Sequence, residues 1–325
     1  MKNSKILVTG CAGFIGYHLC NRLLENKNHD VYGIDNLNNY YDIDLKHNRL
    51  RELKKNKKFH FYKLDLVNKK KVLTNFNKNN YKYVIHLAAQ AGVRHSISNP
   101  QSYVDSNIIG FFNILEGSKE IKVKHLIFAS TSSVYGASKS FPLKEIYKTD
   151  GPLSFYAATK KSNEIMGYSY SHIFKLPITA LRFFTVYGPF GRPDMALFKF
   201  ADSIIKNKKI DLFNKGKHYR DFTYVDDIIE GIVLLIDKKS KDDVPFQVFN
   251  IGSENPHYLK KFLKIIEDNI GKKAKINFRP FQLGDVYKTH ADISKLKKKT
   301  GYRPKTSLQK GIYNFIKWYR NYYSK

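Results

Sequence analysis

The stretch "VTGCAGFIG" constrains the fold most, because it joins a predicted strand to a predicted helix through three glycines. The strand is the apolar run "KILVTG" and the helix is "FIGYHLCNRLLEN". Gly10, Gly13 and Gly16 allow a tight turn and a close approach of the backbone to a pyrophosphate, which the N–H groups and positive dipole end of the helix would bind. A glycine-rich turn without a ligand is the alternative. The stretch predicts a dinucleotide-binding unit.

An acidic residue stands at the position that such a unit requires. Asp35 ends the second predicted strand, "DVYGID". A carboxylate there accepts hydrogen bonds from the adenosine ribose and repels a 2′-phosphate, so we expect NAD rather than NADP. Asp65, which ends the third strand "FHFYKLDL", is a candidate ligand for the adenine amine.

Strands alternate with helices as far as about residue 189, which predicts an α/β fold with a doubly wound parallel sheet. We read "PITALRFFTVYGP" as one strand and "NIIGFFNILEGSKE" as one helix. We place an NAD-binding Rossmann domain at 1–181. Residues 182–325 mainly form a smaller, interleaved substrate-binding subdomain, with segments near 182–187 and 247–252 returning to the main sheet.

The formal net charge of +29 raises the question of nucleic acid. The lysines are scattered in runs such as "KKNKK" and "LKKKT", which match no nucleic-acid motif, so we expect a solvated basic surface and no specific nucleic-acid partner. Cys11 and Cys20 are too few for a disulfide framework and lack a zinc pattern, and no metal site is predicted.

The location of the protein is inferred from two features of the sequence. No apolar run approaches the roughly 20 residues that cross a bilayer, so no membrane association is expected. The first residues lack the apolar core and cleavage site of a signal peptide, which favours a cytoplasmic protein.

The stretch "SFYAATKK" carries the strongest candidate for proton transfer. Tyr156 and Lys160 are four residues apart, a spacing that puts both side chains on one face of a helix. An ammonium beside a phenol lowers the pKa of the phenol and prepares it to act as a base. A simple surface pair is the alternative, and the spacing alone does not exclude it.

Several motifs, taken in order, resemble one enzyme family. They are "TGCAGFIG", "HLAAQAGV", "STSSVYG", "YAATK", "RFFTVYGP" and "RDFTYVDD". The chain resembles the extended short-chain dehydrogenase/reductase family over essentially its whole length, and within that family the nucleotide-sugar 4-epimerases. The stretches "DNLNNYYDIDLK", "QAGVRHS" and "RFFTVYGPFGRPDMALFKF" bring it nearest to the branch that acts on UDP-glucuronate. The resemblance implies bound NAD, a UDP-sugar substrate and a homodimer.

The resemblance also assigns roles near the cofactor. Tyr156 matches the general base of the family and Lys160 its partner. Thr131 stands where a catalytic Ser is usual and keeps the hydroxyl; a loop cap is its alternative role. The remaining residues expected along the dinucleotide are Phe14, Ile15, Asn36, Leu66 and Ala88.

Further residues are expected to bind the sugar nucleotide. Arg220 matches a diphosphate-binding Arg, Phe213 could stack on uracil and Asp285 could bind ribose. Thr185 replaces the Asn of general hexose epimerases, and Arg192 could grip a carboxylate with two parallel hydrogen bonds.

Alternatives remain open for two of these arginines. Arg192 could instead form a loop salt bridge with Asp194, and Arg94 is either a substrate contact or a surface residue. Ser132 and Ser133, beside Thr131, complete the predicted substrate set.

The loop "TSSVYG" decides between related reactions. Dehydratases and decarboxylases of this type carry an acidic residue where this chain has Ser132 and Ser133. The prediction is therefore 4-epimerisation of UDP-glucuronate through a 4-keto sugar, serving polysaccharide synthesis. UDP-N-acetylglucosamine and UDP-glucose are alternative substrates. A remote alternative is an inactive NAD-binding protein with a basic, RNA-binding surface.

Overall fold

A computed structural model describes residues 4–282 and 284–323. The strands are, in chain order, β1 (Ser4–Thr9), β2 (His29–Asp35), β3 (Phe59–Lys63), β4 (Tyr83–His86), β5 (His125–Thr131), β6 (Ile178–Phe183), β7 (Thr185–Tyr187), β8 (Lys209–Phe213), β9 (Tyr219–Tyr224), β10 (Phe246–Ile251), β11 (Pro256–Tyr258) and β12 (Lys275–Arg279). Seven of them form one parallel sheet in the order β10-β6-β5-β4-β1-β2-β3. The prediction of a doubly wound α/β fold is confirmed.

Helices cover both faces of this sheet. They are α1 (Phe14–Leu24), α2 (Ile43–Leu53), α3 (Lys69–Asn79), the short α4 (His95–Ser98) and α5 (Gln101–Tyr103), α6 (Gly110–Glu120), α7 (Phe155–Phe174), α8 (Ala196–Ile205), α9 (Val225–Leu235), α10 (Leu259–Ile270), α11 (Ser294–Thr300) and α12 (Leu308–Tyr323). None of the helices in the described part of the chain is long and apolar enough to cross a membrane.

Two hydrophobic cores follow from the alternation of side chains along the strands. In β1, Ile6 and Val8 pack into one core while Leu7 packs into the other. Because both faces are covered, the middle of β1 is a continuous apolar run from Ile6 to Val8, without the polar alternation of a half-exposed strand. This double burial fixes the register of the sheet and therefore the positions of the strand ends.

The predicted strand at 177–189 is two strands in different sheets. β6 ends at Phe183 in the main sheet, and β7 pairs with β9 in a three-stranded sheet that also contains β11. At the break, the Phe184 N–H donates to the Ile251 carbonyl at the end of β10. The strand at 246–251 lies in the main sheet. The third sheet pairs β8 with β12.

The predicted helix at 107–120 begins differently from the expectation. Val104–Ile109 form a π-helical turn that leads into α6. Asn107, in this turn, binds the Gln90 backbone in both directions: it accepts from the Gln90 N–H at 2.8 Å and donates to the Gln90 carbonyl at 3.0 Å. π-turns are frequent at functional sites. This one ties the loop after β4 to the start of α6.

Candidate active site

A cavity of about 440 Å³ opens where the parallel strands end. Its lining includes Gly10 after β1, Asp35 at the end of β2, Ala88 after β4 and Thr131 at the end of β5. Ligands of doubly wound sheets bind at this edge. Of the residues that the sequence predicted for the site, all but Arg94 and Phe213 line this cavity.

The glycine turn is closely packed against its surroundings. Gly10 has φ of +72°, and a Cβ on Gly16 would lie 2.1 Å from the Gly10 carbonyl oxygen. The N-terminus of α1 has neither a side-chain cap nor an acidic residue in its first turn. Its free N–H groups, beside the cavity, fit the pyrophosphate of a dinucleotide.

Asp35 lies at the other side of this turn. Its carboxylate accepts hydrogen bonds from the N–H groups of Ala12 at 3.1 Å and Leu37 at 2.8 Å. Burial raises the pKa of Asp35, and the Lys46 ammonium opposes this shift. A carboxylate has about four acceptor sites, so some remain for ribose hydroxyls. The residues therefore fit the adenosine half of NAD.

Asp65 is fixed next to this half of the site. The Asn36 amide donates to the Asp65 carboxylate at 3.0 Å, and both side chains line the cavity. The two residues, predicted separately, thus form one polar edge at the ends of β2 and β3.

Helix α7 brings the predicted proton-transfer pair into the cavity. Ser154 caps its N-terminus, since its Oγ accepts from the Ala157 N–H at 3.1 Å. One turn inside, Tyr156 and Lys160 share the face that lines the cavity. Lys160 is almost completely buried, with 1% of its surface exposed. The surface-pair alternative does not describe this geometry.

The Thr131 hydroxyl makes the loop-capping contact that the sequence gave as its alternative role. Its Oγ1 accepts from the Ser133 N–H at 3.1 Å and donates to the Ser133 Oγ at 3.2 Å. Thr131 also lines the cavity, and its hydroxyl opposes the rise in the Tyr156 pKa that burial causes. Capping the loop fixes Thr131 beside the phenol.

Burial dominates the ionisation of the pair. It raises the pKa of Tyr156, against the lowering effects of Arg192 and Thr131. The sequence predicted that the Lys160 ammonium lowers the pKa of Tyr156; in the protein by itself, burial shifts this pKa the other way. Burial also lowers the pKa of Lys160 to about 7, opposed by the Glu164 carboxylate.

The sequence reasoning did not find a buried ion pair below these residues. Arg182 of β6 donates to the Glu164 carboxylate through Nε at 2.9 Å and Nη2 at 2.8 Å. Ser130, which precedes Thr131, donates to the same carboxylate at 2.6 Å. The signal was available, because Glu164 follows Lys160 by four residues and shares its helix face.

The residues predicted for the sugar nucleotide form three groups. Arg220 and Asp285 line the cavity and bind each other at 2.6 Å. The Arg94 guanidinium lies over the Phe213 ring, 4.5 Å from its centroid, and neither residue lines the cavity.

Arg192 and Asp194 form the third group. The salt bridge that the sequence left open is present: Arg192 Nε donates to Oδ1 at 3.0 Å and Nη2 donates to Oδ2 at 2.5 Å. The Tyr40 hydroxyl also donates to Asp194, at 3.2 Å. Arg192 lines the cavity at the same time, together with Thr185.

The arrangement suits hydride and proton exchange at a carbinol carbon. It combines a half-buried phenol, a buried lysine and a hydroxyl with a dinucleotide-type turn. Among the described residues that line the cavity, the acidic ones are Asp35, Asp65 and Asp285, and none stands beside Thr131. The loop therefore offers no carboxylate for elimination or decarboxylation.

Comparisons with known proteins agree with this chemistry. The family model described as GDP-mannose 4,6 dehydratase matches residues 7–315. Protein CapI of Staphylococcus aureus is 47% identical over 335 residues, covering 99% of this chain and 100% of the relative. The UDP-glucuronate 4-epimerase of Thermodesulfobacterium geofontis is 46% identical over 313 residues, covering 96% and 95% of the two chains.

A solved structure matches the fold as a whole. The UDP-glucuronic acid 4-epimerase of Bacillus cereus, in complex with UDP-glucuronic acid and NAD, superimposes with a TM-score of 0.92 at 37% identity, covering 98% of this chain and all of that one.

Proposed function

The chain belongs to the GDP-mannose 4,6 dehydratase family of extended short-chain dehydrogenases/reductases, and from that premise we propose that it is an NAD-dependent UDP-glucuronate 4-epimerase. One observation carries the reaction type: the cavity joins Tyr156, Lys160 and Thr131 to the glycine turn, beside a loop with two serines and no carboxylate. The relatives and the solved structure named above support the substrate.

In this mechanism Tyr156 takes the proton of the sugar 4-hydroxyl. Lys160, one helical turn away, stabilises the phenolate when it is charged, and Thr131 holds the substrate oxygen by a hydrogen bond. NAD, when bound, supplies an acceptor and donor of hydride. The flat 4-keto sugar would then turn over in the cavity, and Tyr156 would return the proton to the C4 oxygen when hydride is added back to the opposite face of C4.

A uronate substrate imposes a second requirement. A 4-keto uronate is a β-keto acid, which loses CO₂ when its carboxylate turns perpendicular to the carbonyl. Thr185 and Arg192, both in the cavity lining, hold the carboxylate in an unproductive orientation. Ser132 and Ser133 add hydroxyl donors on the side of Thr131.

The nucleotide half of the substrate binds farther out in the cavity. Arg220 binds the diphosphate and Asp285 the ribose, so the salt bridge between them opens to admit the ligand. Phe213 stacks on the uracil and Arg94, already over its ring, reaches the same end of the substrate.

The proposal also covers the location, the oligomeric state and the biological role of the protein. It is a cytoplasmic homodimer, and its UDP-galacturonate supplies polysaccharide synthesis. The two cysteines, both free and buried, suit a reducing compartment. The segment 1–181 binds NAD and 182–325 mainly binds the substrate. The basic residues that give the net charge of +29 form a solvated surface, which attracts anionic substrates and binds no specific nucleic acid.

A neutral hexose is the second candidate substrate, since Asp194 already neutralises Arg192. Proton NMR of purified protein separates the two candidates, with UDP-glucuronate, UDP-glucose and UDP-N-acetylglucosamine offered in parallel. We expect UDP-galacturonate from the first at the highest kcat/KM. No turnover of UDP-glucuronate, with turnover of a neutral sugar, would transfer the proposal to the second candidate.

Tyr156→Phe is the matched variant for this assay. It removes only the hydroxyl, so epimerisation should fall by at least about a thousandfold if the phenol is the base that exchanges the proton. Binding of NAD, measured by calorimetry, should remain. A variant that still epimerises at a wild-type rate would remove Tyr156 from the mechanism.

A further inference from the structure

The Asp194 carboxylate has no role in the proposed reaction as described so far. It occupies two N–H groups of Arg192, the cation proposed to hold the substrate carboxylate. The two residues are separated in the chain only by Pro193, and a turn in which the Met195 N–H donates to the Arg192 carbonyl at 3.1 Å keeps them together. The pair therefore re-forms easily whenever Arg192 is free.

Asp194 can also be released without a large penalty. Its side chain is 26% exposed, so water can solvate the carboxylate. The Tyr40 hydroxyl donates to Oδ2 at 3.2 Å and can stay bound after Arg192 leaves. Arg192 is about equally exposed, at 21%, but both of its side-chain hydrogen bonds go to Asp194, so its guanidinium would lose both when the pair opens, which is costly beside the cavity.

The proposed reaction requires Arg192 to release the substrate carboxylate during each turnover. The two faces of C4 must meet the same cofactor, so the sugar ring turns over and its C5 carboxylate changes position. An Arg that kept both hydrogen bonds to that carboxylate would oppose the movement. An Arg that released it with no replacement would be left unpaired in the cavity.

We propose that Asp194 is an exchange partner for the substrate carboxylate at Arg192: it yields the guanidinium when the uronate binds and takes it back while the 4-keto sugar turns. This inference rests on the proposed function. One carboxylate replaces another, so the number of charge-assisted hydrogen bonds to Arg192 stays the same at each stage. Asp194 is thus a positioning residue that lowers affinity and permits turnover.

Asp194→Asn tests the exchange with an isosteric side chain. Without the competing charge, Arg192 should hold UDP-glucuronate about tenfold more tightly, the change that one hydrogen bond to a charged group contributes. Calorimetry on the NAD-loaded enzyme measures this Kd. The kcat for epimerisation should fall about tenfold or more, because Arg192 stays bound to the substrate carboxylate and slows the turning of the 4-keto sugar. The Kd for UDP-glucose, which has no carboxylate, should not decrease.

Three variants serve as controls. Asp194→Glu keeps the charge and should restore kcat and Kd towards wild-type values. In an Arg192→Ala background, Asp194→Asn should change neither value, since the partner is gone. Asp268→Asn makes the same chemical change on α10, at an exposed ion pair with Lys264, and should leave both unchanged.

An unchanged or weaker Kd in Asp194→Asn would overturn the exchange, and so would a tighter Kd with an equal or higher kcat. The same effects in the Arg192→Ala background would also overturn it. Failure of the proposed function is separate, because the wild-type enzyme would then not epimerise UDP-glucuronate at all.

Discussion

Lys160 shows how strongly the fold changes the chemistry of a single residue. In the sequence it is one of many lysines, distinguished by its spacing to Tyr156 within the motif "YAATK". In the structure it is buried in the lining of the cavity, and burial lowers its pKa to about 7. A lysine with that pKa changes charge near neutral pH, so its influence on the Tyr156 phenol depends on pH.

The shifted pKa of Lys160 predicts a pH-dependent stability. Below about pH 7 the folded and unfolded states both carry the protonated amine, and the folded state bears the full cost of a buried charge. As the pH rises from 7 to 10.5, the folded state loses the proton first and the cost disappears. Lys160→Met should therefore raise the Tm of the NAD-free protein at pH 6 and raise it less at pH 9.

Thermal melts of both proteins at the two pH values measure this difference. Lys161→Met is a matched control on the same helix, whose amine instead donates to the Thr149 hydroxyl. An equal gain in Tm at pH 6 and pH 9 would contradict the low pKa of Lys160.

At the scale of elements, α7 is joined to the sheet by the buried pair of Glu164 and Arg182. Both side chains are 5% exposed, and the Ser130 hydroxyl donates a further hydrogen bond to the Glu164 carboxylate. One carboxylate thus connects the helix that carries Tyr156 with the strand that ends at Thr131 and with β6. These hydrogen bonds hold together the elements that carry Tyr156 and Thr131.

A double-mutant cycle measures the connection. Glu164→Leu should lower the free energy of unfolding by about 3–5 kcal/mol, because it leaves Arg182 buried without a counter-charge. Glu164→Leu with Arg182→Met should cost less than the sum of the two single variants. Urea unfolding gives these values, and additive costs would show that the pair is not coupled.

At the scale of the whole molecule, the outer face of α7 presents large apolar side chains to solvent. Ile165 and Ile173 are 60% and 62% exposed, and Tyr168, on the same side of the helix, has about half of its surface exposed. A cluster of this kind is typical of a surface that another chain covers. It supports the proposed homodimer, in which two copies of α7 pack together across a twofold axis.

Ile165→Glu with Ile173→Glu tests this surface. Two charges in an apolar interface should separate the subunits, so light scattering after gel filtration should report half the wild-type mass. Phe278→Glu is the control, since Phe278 is 56% exposed on β12, outside this face. A double variant with the wild-type mass would place the interface elsewhere.

The fold class and the cofactor turn can be predicted from the amino-acid sequence alone, because both depend on local patterns. Alternating strands and helices predict a parallel sheet, and the spacing of Gly10, Gly13 and Gly16 predicts the turn wherever the rest of the chain lies. The π-turn at 104–109 and the split of 177–189 into two strands depend on distant pairing, and the sequence did not show them.

The ionisation and pairing of the groups in the cavity depend on how distant parts of the chain pack around them. Burial at the ends of the strands sets the pKa of Tyr156 and Lys160 in directions that their spacing does not reveal. The sequence placed Arg192 near the substrate and named Asp194 as its alternative partner. The structure shows the salt bridge and also places Arg192 in the lining of the cavity, because a salt bridge between near neighbours in the chain can still face a cavity built by distant strands.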